Sequence, residues 1–381
     1  MGTEMRADTV RVFANSQTWL EGTALQQLQH TAQLPGMVRV AGMPDLHPGR
    51  GYPVGAAFFS VGRIYPALVG NDIGCGMALW QTDLPLAKHS AARLERRLGS
   101  LDDPLDADEW ADELAACAPA LAGHRAALGT IGGGNHFAEL QAVDAVLDAD
   151  HLPAGFDTKA LHLLVHSGSR GLGQAILTAH VSRFGHAGLV ADSADGAAYM
   201  AEHDAALEFA ALNRRLIALR MLARLGGEGV RLLDVHHNFV ARAEVAGESG
   251  WLHRKGATPA DAGLVVIPGS RGDFSYLVAP LTDVAEAVAS LYSLAHGAGR
   301  KWQRSECEAR LRKRYPKDAL RKTRLGSLVV CDARDLLYEE APEAYKDVDN
   351  VVQVLAEAGL LRLVARLRPV LTYKTREAHA C

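Results

Sequence analysis

Uninterrupted apolar runs are missing from these 381 residues: none reaches the roughly 18 that a membrane-spanning helix requires. The opening MGTEMRADTVRVFANSQTW lacks the basic start and apolar run of an export signal, so a soluble, cytoplasmic protein that binds no membrane is expected. Neither charge sign dominates, with 40 Lys and Arg against 44 Asp and Glu and a net charge of −4, which excludes binding of polyanions over the whole surface. Cysteine is scarce: Cys75, Cys117, Cys307, Cys331 and Cys381 are odd in number and scattered, which suits free thiols and excludes a disulfide framework. There is no GxxxxGK[ST] phosphate loop and no Lys-x-Asp-Gly, which excludes P-loop NTPases and lysine nucleotidyltransferases. Internal repeats and low-complexity linkers are also absent, so residues 1–381 are expected to form one interleaved α+β domain.

Glycine, in contrast, is abundant at 37 residues, and a Gly-punctuated stretch from Gly49 to Gly76 reads as hairpins and turns. Short β-rich runs lie at Thr9 to Phe13 and Met37 to Ala41, and LHLLV at 161–165, RLLDV at 231–235 and LVVIP at 264–268 read as buried strands. Two surface helices are expected within 88–128, the second from Ala107 to Leu128 with a kink or break at Pro119. A longer helix, about 196–225, carries Leu212, Leu216, Leu219 and Ala223 at the spacing of a buried stripe, which points to scaffold rather than function. Residues 300–324 hold eleven Lys and Arg against three acidic residues, a local +8 in an otherwise acidic chain. This is either a solvated face or, the favoured reading, a surface for a phosphate backbone.

Four histidines share one local setting, a strand end beside a tight glycine turn: His136 in GTIGGGNHF, His166 in LLVHSGSRG, His237 in LLDVHHNF and His296 in LAHGAGR. With Asp72 and Cys75 of GNDIGCGM they make an imidazole, thiolate and carboxylate set suited to Mn, Zn or Fe. Any one of them could instead be a hydrogen-bonded structural residue; six in similar turns weigh against that for the group. HSGSRG, PGSRG and HGAGR add arginines to backbone turns that cradle phosphate oxygens. Phosphoryl or nucleotidyl chemistry follows, with histidine as the available nucleophile.

Nine segments in order, MPDLHPGRG (43–51), VGNDIGCGM (69–77), GTIGGGNHFAEL (129–140), HSGSRG (166–171), HHNF (236–239), HRKGAT (253–258), IPGSRGDFSY (267–276), HGAGR (296–300) and YKDVD (345–349), resemble the motifs of the RtcB family of GTP-dependent RNA ligases. The resemblance implies packed central β-sheets flanked by helices, with a metal site in a cleft. It implies joining of RNA 2',3'-cyclic phosphate or 3'-phosphate ends to 5'-hydroxyl ends, with GTP and two manganese ions. His296 would carry GMP; Asp72, Cys75, His136, His166 and His237 would be the metal ligands, with Cys75 touching both ions. Asn135, Glu139, Asn238, Ser270, Ser275, the Gly297-Ala298-Gly299 turn, Tyr345 and Lys374 would hold the guanine nucleotide, and Asp45, Arg170 and Arg300 would serve the RNA ends.

The chain departs from the family where GSRGD stands for the usual Gly-Ser-Met-Gly-Thr, placing Arg271 and Asp273 beside the nucleotide pocket. It is also short and runs on past Lys374 as TREAHAC. It thus resembles the short branch linked to a release-factor-like protein, which points towards repair of rRNA or tRNA rather than routine tRNA splicing, while the family resemblance implies a monomer. A dinuclear metal phosphoesterase that opens cyclic phosphates without ligation is the competing enzyme reading, and a non-catalytic RNA-end or ribosome-binding protein the third; the HGAGR histidine favours the ligase.

Overall fold

A computed structural model describes residues 9–377; Cys381 lies outside the described residues, and Cys75, Cys117, Cys307 and Cys331 are free and buried. Helices and strands are mixed. One sheet runs in the order Val265–Pro268, Ser275–Pro280, Leu361–Thr375, Phe137–Val146, Ala160–Ser167, Gly76–Pro85, Gly229–His236, antiparallel throughout, with Leu328–Cys331 parallel beside the long Leu361–Thr375 strand. A second, five-stranded sheet is ordered Val10–Val12, Met37–His47, Val54–Ser60, Glu248–Lys255, Asn238–Val245.

The larger sheet curls, because Met77 and Leu164 from its middle pack against Val266 and Leu277 from one edge. Its central Ala160–Ser167 strand is buried on both faces. Leu161, Leu163 and Val165 point towards Ile217, Ala218 and Met221 of the helix Ala194–Leu225, while Leu164 faces the inside of the curl. Alternation of side chains along a strand puts His166 on that same inner side. The antiparallel register then gathers strand ends: Phe137 and Met77 lie opposite His166, and Gly76 opposite His236. His136, His166, Cys75 and His237 therefore meet at one margin of the sheet. In the second sheet the pairing of Met37–His47 with Val54–Ser60 is irregular between Gly42 and His47, a bulge that re-aims Asp45. A two-stranded ladder, Ala257–Pro259 with Ser293–Ala295, delivers His296 from the other side.

Three expectations need correction. The Ala107–Leu128 segment breaks, as one of the two expected outcomes had it, but it does so before Pro119: its helix is a single turn at Ala111–Leu114, and Pro119 opens a 3-10 stretch, Pro119–Ala127. RLLDV does form a strand, but it is the sheet's edge: Arg231 is exposed, Leu232, Leu233 and Asp234 are half-buried, and Val235 alone of the five is buried. The long helix begins at the Ser193 cap and ends at left-handed Gly226; of the expected stripe Leu216 is fully buried, Leu212 and Leu219 are half-buried and Ala223 is exposed, and the buried face also carries Asn213, Arg214, Ile217, Ala218 and Met221. Two of those five are polar, and they act on the site. Among the described residues no helix is long and apolar enough to cross a membrane.

Candidate functional site

A cavity of about 290 Å³ opens where the strand ends meet. The strand margin contributes Asp72, Cys75, His166 and His237; loops and short helices contribute Ser270, Arg271, His296, Arg300, Glu340 and Tyr345.

Cys75 Sγ lies 3.4 Å from His136 Nε2 and 3.2 Å from His166 Nε2, and the three donor atoms fall within 4.8 Å of one another. Ligands on one ion, at about 2.3 Å for sulfur and about 2.1 Å for nitrogen, stand roughly 3.1–3.6 Å apart at angles of about 90–110°. The spacing is therefore that of donors around a cation. Asp72 joins through Oδ2, 2.8 Å from His136 Nε2, while its Oδ1 and the Nδ1 of His237 are buried with no hydrogen-bond partner among the described residues. Such orphaned atoms are costly unless an ion satisfies them. Burial, then repulsion from neighbouring imidazoles, holds His166 and His237 well below the ordinary histidine range, so both offer lone pairs. Burial raises the Asp72 carboxyl, but attraction to His136 and bonds from His136 and Cys75 outweigh it and leave Asp72 below the usual range. The Cys75 thiol is pushed well up by burial and by the Asp72 carboxylate; a cation is what would hold its thiolate.

His237 is held by its backbone N–H, which donates to the Cys75 carbonyl at 2.7 Å, and its ring centroid lies 4.8 Å from that of His296. His296 is fixed in turn by Asp45, whose Oδ2 is 2.6 Å from Nδ1 and also accepts from the backbone N–H. That contact leaves Nε2 as the imidazole nitrogen without the carboxylate. Gly256, at φ +61, must be glycine here: a Cβ would sit 2.9 Å from His296 Cε1.

The other expected residues gather in layers around the cavity. Asn135, Asn238, Ser270, Gly297, Ala298, Gly299, Arg300, Tyr345 and Lys374 line it; Asp45, His136, Glu139 and Ser275 lie directly behind lining residues. Asn238 is pinned between the Asp72 carbonyl and the Gly256 N–H. Gln141 bridges Glu139 and Ser275 at 2.7 Å each, and Thr372 donates to the other Glu139 oxygen. Burial pushes Glu139 up to about 7, against the lowering effect of those bonds, and brings Lys374, bonded to the His136 carbonyl, down to about 8. Arg300 spreads its five donors over Glu340, the Tyr345 hydroxyl, the Trp302 and Glu339 carbonyls and Cys307. Arg170 is not among the lining residues; at φ +58 it lays its guanidinium on the Cα of Gly132 and helps lower Asp72. Of the unusual pair, Arg271 lines the cavity and donates to the Leu337 carbonyl, while Asp273 accepts from Ser270 and from Arg324.

Comparison with known proteins decides what this site belongs to. The family model described as tRNA-splicing ligase RtcB matches residues 27–108 and 109–375. The chain belongs to the RtcB family. It is 56% identical over 369 residues to RNA-splicing ligase RtcB2 of Escherichia coli, taking in 97% of this chain and 96% of that one. It is 32% identical to RNA-splicing ligase RtcB of Mycobacterium bovis, over 90% and 99% of the two chains, and 33% identical to tRNA-splicing ligase RtcB of Archaeoglobus fulgidus, over 92% and 91%. Against the mycobacterial relative the alignment stretches to 437 positions, so this RtcB chain is a short form whose length is matched by RtcB2.

Sequence reasoning passed over several residues that organise this RtcB site. Arg214, wholly buried, pairs with Asp234 at 2.7 Å, donates to the carbonyls of Gly74 and Ser167, and reaches His236. Those partners are the neighbours of Cys75, His166 and His237, so one guanidinium ties three candidate-ligand loops together. Asn213 beside it binds the Gly129 N–H, the Ser167 hydroxyl and the Gly168 carbonyl. Glu340 receives Arg300, Arg304, and the Tyr345 hydroxyl, and Lys346 Nζ clamps the Asp45 turn through the Pro44 and Leu46 carbonyls. Only Lys346 stood inside a recognised motif; the others carry no local signal.

Proposed function

We propose that this chain seals broken RNA, joining a 3'-phosphate or 2',3'-cyclic phosphate to a 5'-hydroxyl through a GMP carried on His296. The observation that carries the reading is the His296–Asp45 pair set 4.8 Å, ring to ring, from His237 of the Cys/His group. Asp45 on Nδ1 fixes ring orientation and tautomer, which leaves the Nε2 lone pair to attack the α-phosphorus of GTP. The N–P bond forms, the bond to the β-phosphate breaks and pyrophosphate leaves. A 3'-phosphate oxygen of the RNA then takes GMP from His296, and the 5'-hydroxyl attacks the RNA phosphorus and expels GMP. A cyclic phosphate is first opened by water.

Asp72, Cys75, His136, His166 and His237 are the residues that would hold two manganese ions, Cys75 shared between them, and the bound ions would neutralise the triphosphate and the reacting phosphates. Asn135, Glu139, Asn238, Ser270, Ser275, the Gly297–Gly299 turn, Tyr345 and Lys374 would together hold the guanine nucleotide. Arg170 and Arg300 serve the RNA ends, Arg300 by exchanging a protein acceptor for a phosphate oxygen. The same reading treats residues 1–381 as a single, monomeric catalytic domain, since the site draws on positions from Asp45 to Lys374. The short length and the ending past Lys374, by which the chain resembles the branch linked to a release-factor-like protein, lead us to place it in repair of rRNA or tRNA. The test is incubation of the protein with GTP, Mn2+ and two RNA strands bearing 3'-phosphate or cyclic phosphate and 5'-hydroxyl ends. A joined strand supports the reading; opening of the cyclic phosphate with no joining would replace it with phosphoesterase activity.

A further inference from the structure

The basic stretch 300–324 is hardly used by the cavity, which takes only Arg300 and Arg304 from it. The helix Arg304–Leu311 buries Cys307 and packs Leu311 against Leu336, Leu337 and Tyr338, and this leaves Arg310, Arg312, Lys313 and Arg314 in solvent. Acidic residues on the same helix answer part of that charge, with Arg310 3.1 Å from Glu306 and Arg312 3.9 Å from Glu308, but exposed pairs of this kind hold their partners weakly. Lys301, Lys313, Arg314 and Lys322 form no ion pair among the described residues.

Aromatic rings alternate with these cations. Arg310 lies 4.9 Å over the Trp302 ring with Lys301 Nζ at 6.0 Å, and Arg314 lies 5.1 Å over Tyr315. Trp302 and Tyr315 pack half-buried on the core beneath. A guanidinium held over a ring leaves its outer side open to a nucleobase, and fixed cations between such pairs suit phosphates. The strip is continuous with the cavity at Arg304, whose guanidinium reaches Glu340 at 3.7 Å, and at Arg324, which holds Asp273 beside Ser270.

We propose that this strip, Lys301 and Trp302 through Arg310, Lys313, Arg314 and Tyr315, is the track on which a single-stranded RNA lies as its phosphorylated end enters the cavity. The inference rests on the RNA-ligase reading. An RNA strand is favoured over an acidic protein because one occupant can then place its terminal phosphate by Arg300 and Arg304 and its successive phosphates and bases along the alternating strip.

The test compares wild type with the triple variant Arg310→Glu/Lys313→Glu/Arg314→Glu, binding a short 3'-phosphorylated RNA at several salt concentrations. Affinity is expected to fall at least about tenfold, and the slope of log K against log salt to shrink by about 2, near 0.7 for each lost phosphate contact. The neutral variant Lys313→Gln/Arg314→Gln should fall between, and labelling of His296 by GTP without RNA should match wild type. Unchanged RNA affinity and salt slope in the triple variant overturn the track. So does weakened binding of polyglutamate with RNA binding intact, which assigns the strip to a protein partner. Loss of RNA binding in the variant, with no His296 labelling even in wild type, supports the track and contradicts the ligase reading instead.

Discussion

The two sides of the cavity are built differently. The strand margin places Cys75, His136, His166 and His237 by backbone register, and Arg214 locks the adjoining carbonyls from behind. The loop side is a mesh of side chains: Glu340 gathering Arg300, Arg304 and Tyr345, Asp273 joining Ser270 to Arg324, and Arg271 reaching Leu337. A register is hard to alter without moving a whole strand, whereas a mesh can be rewired one residue at a time. The chain's departures from the usual family motif, Arg271 and Asp273, fall on the loop side. The candidate metal group thus sits on the rigid wall, and the residues in which this chain departs from the family sit on the adjustable one.

That contrast is open to attack. The largest effect is expected at Arg214. Arg214→Met leaves Asp234 only the looser Arg231 contact at 3.6 Å and unties three loops, so we expect a loss of about 3–5 kcal/mol of stability, read by denaturant unfolding. Where enough folded protein remains, Mn2+ affinity should drop about 10- to 100-fold in a metal titration, as when groups supporting metal ligands are removed. A normal metal affinity would show that the strand register alone holds the ligands.

Next comes pH. Glu139 titrates at about 7 in the free site because burial opposes its charge. Only the carboxylate can accept N–H bonds from a bound base at both oxygens, so nucleotide affinity should rise with pH towards 7 and fall below it, by up to about tenfold per unit. Glu139→Gln should flatten the profile in a binding titration from pH 5.5 to 8.5; an unchanged profile in that variant would remove Glu139 from base recognition.

The smallest effects belong to the rewired positions. Asp273→Thr frees both Ser270 and Arg324, and Arg271→Met removes a buried cation. We expect each to change nucleotide affinity only a few-fold and to leave metal affinity untouched, measured by competition between GTP and ATP. A loss of metal binding in either variant would erase the distinction between the two walls.

Much of the strand wall was legible because its chemistry is local: a histidine at a strand end beside a glycine turn announces itself, and Asp72, Cys75, His136, His166 and His237 all do so. What was not legible is long-range. From Phe209 to Leu222 the helix Ala194–Leu225 is buried around most of its circumference, so periodicity could not choose the face that presents Asn213 and Arg214. Glu340 lies in an ordinary acidic pair, and only the fold brings Arg300, Arg304 and Tyr345 to it. In 107–128 the Ala, Leu and acidic composition suggested a helix longer than the single turn that forms at Ala111–Leu114.

The most direct test of the central claim is mass spectrometry of the protein after incubation with GTP and Mn2+, with the modified peptide sequenced. The account predicts one GMP, acid-labile and located on His296, absent from His296→Ala and sharply reduced in Asp45→Asn although both variants still bind Mn2+. GMP on any other residue, or none under conditions where wild type binds both Mn2+ and GTP, would contradict it.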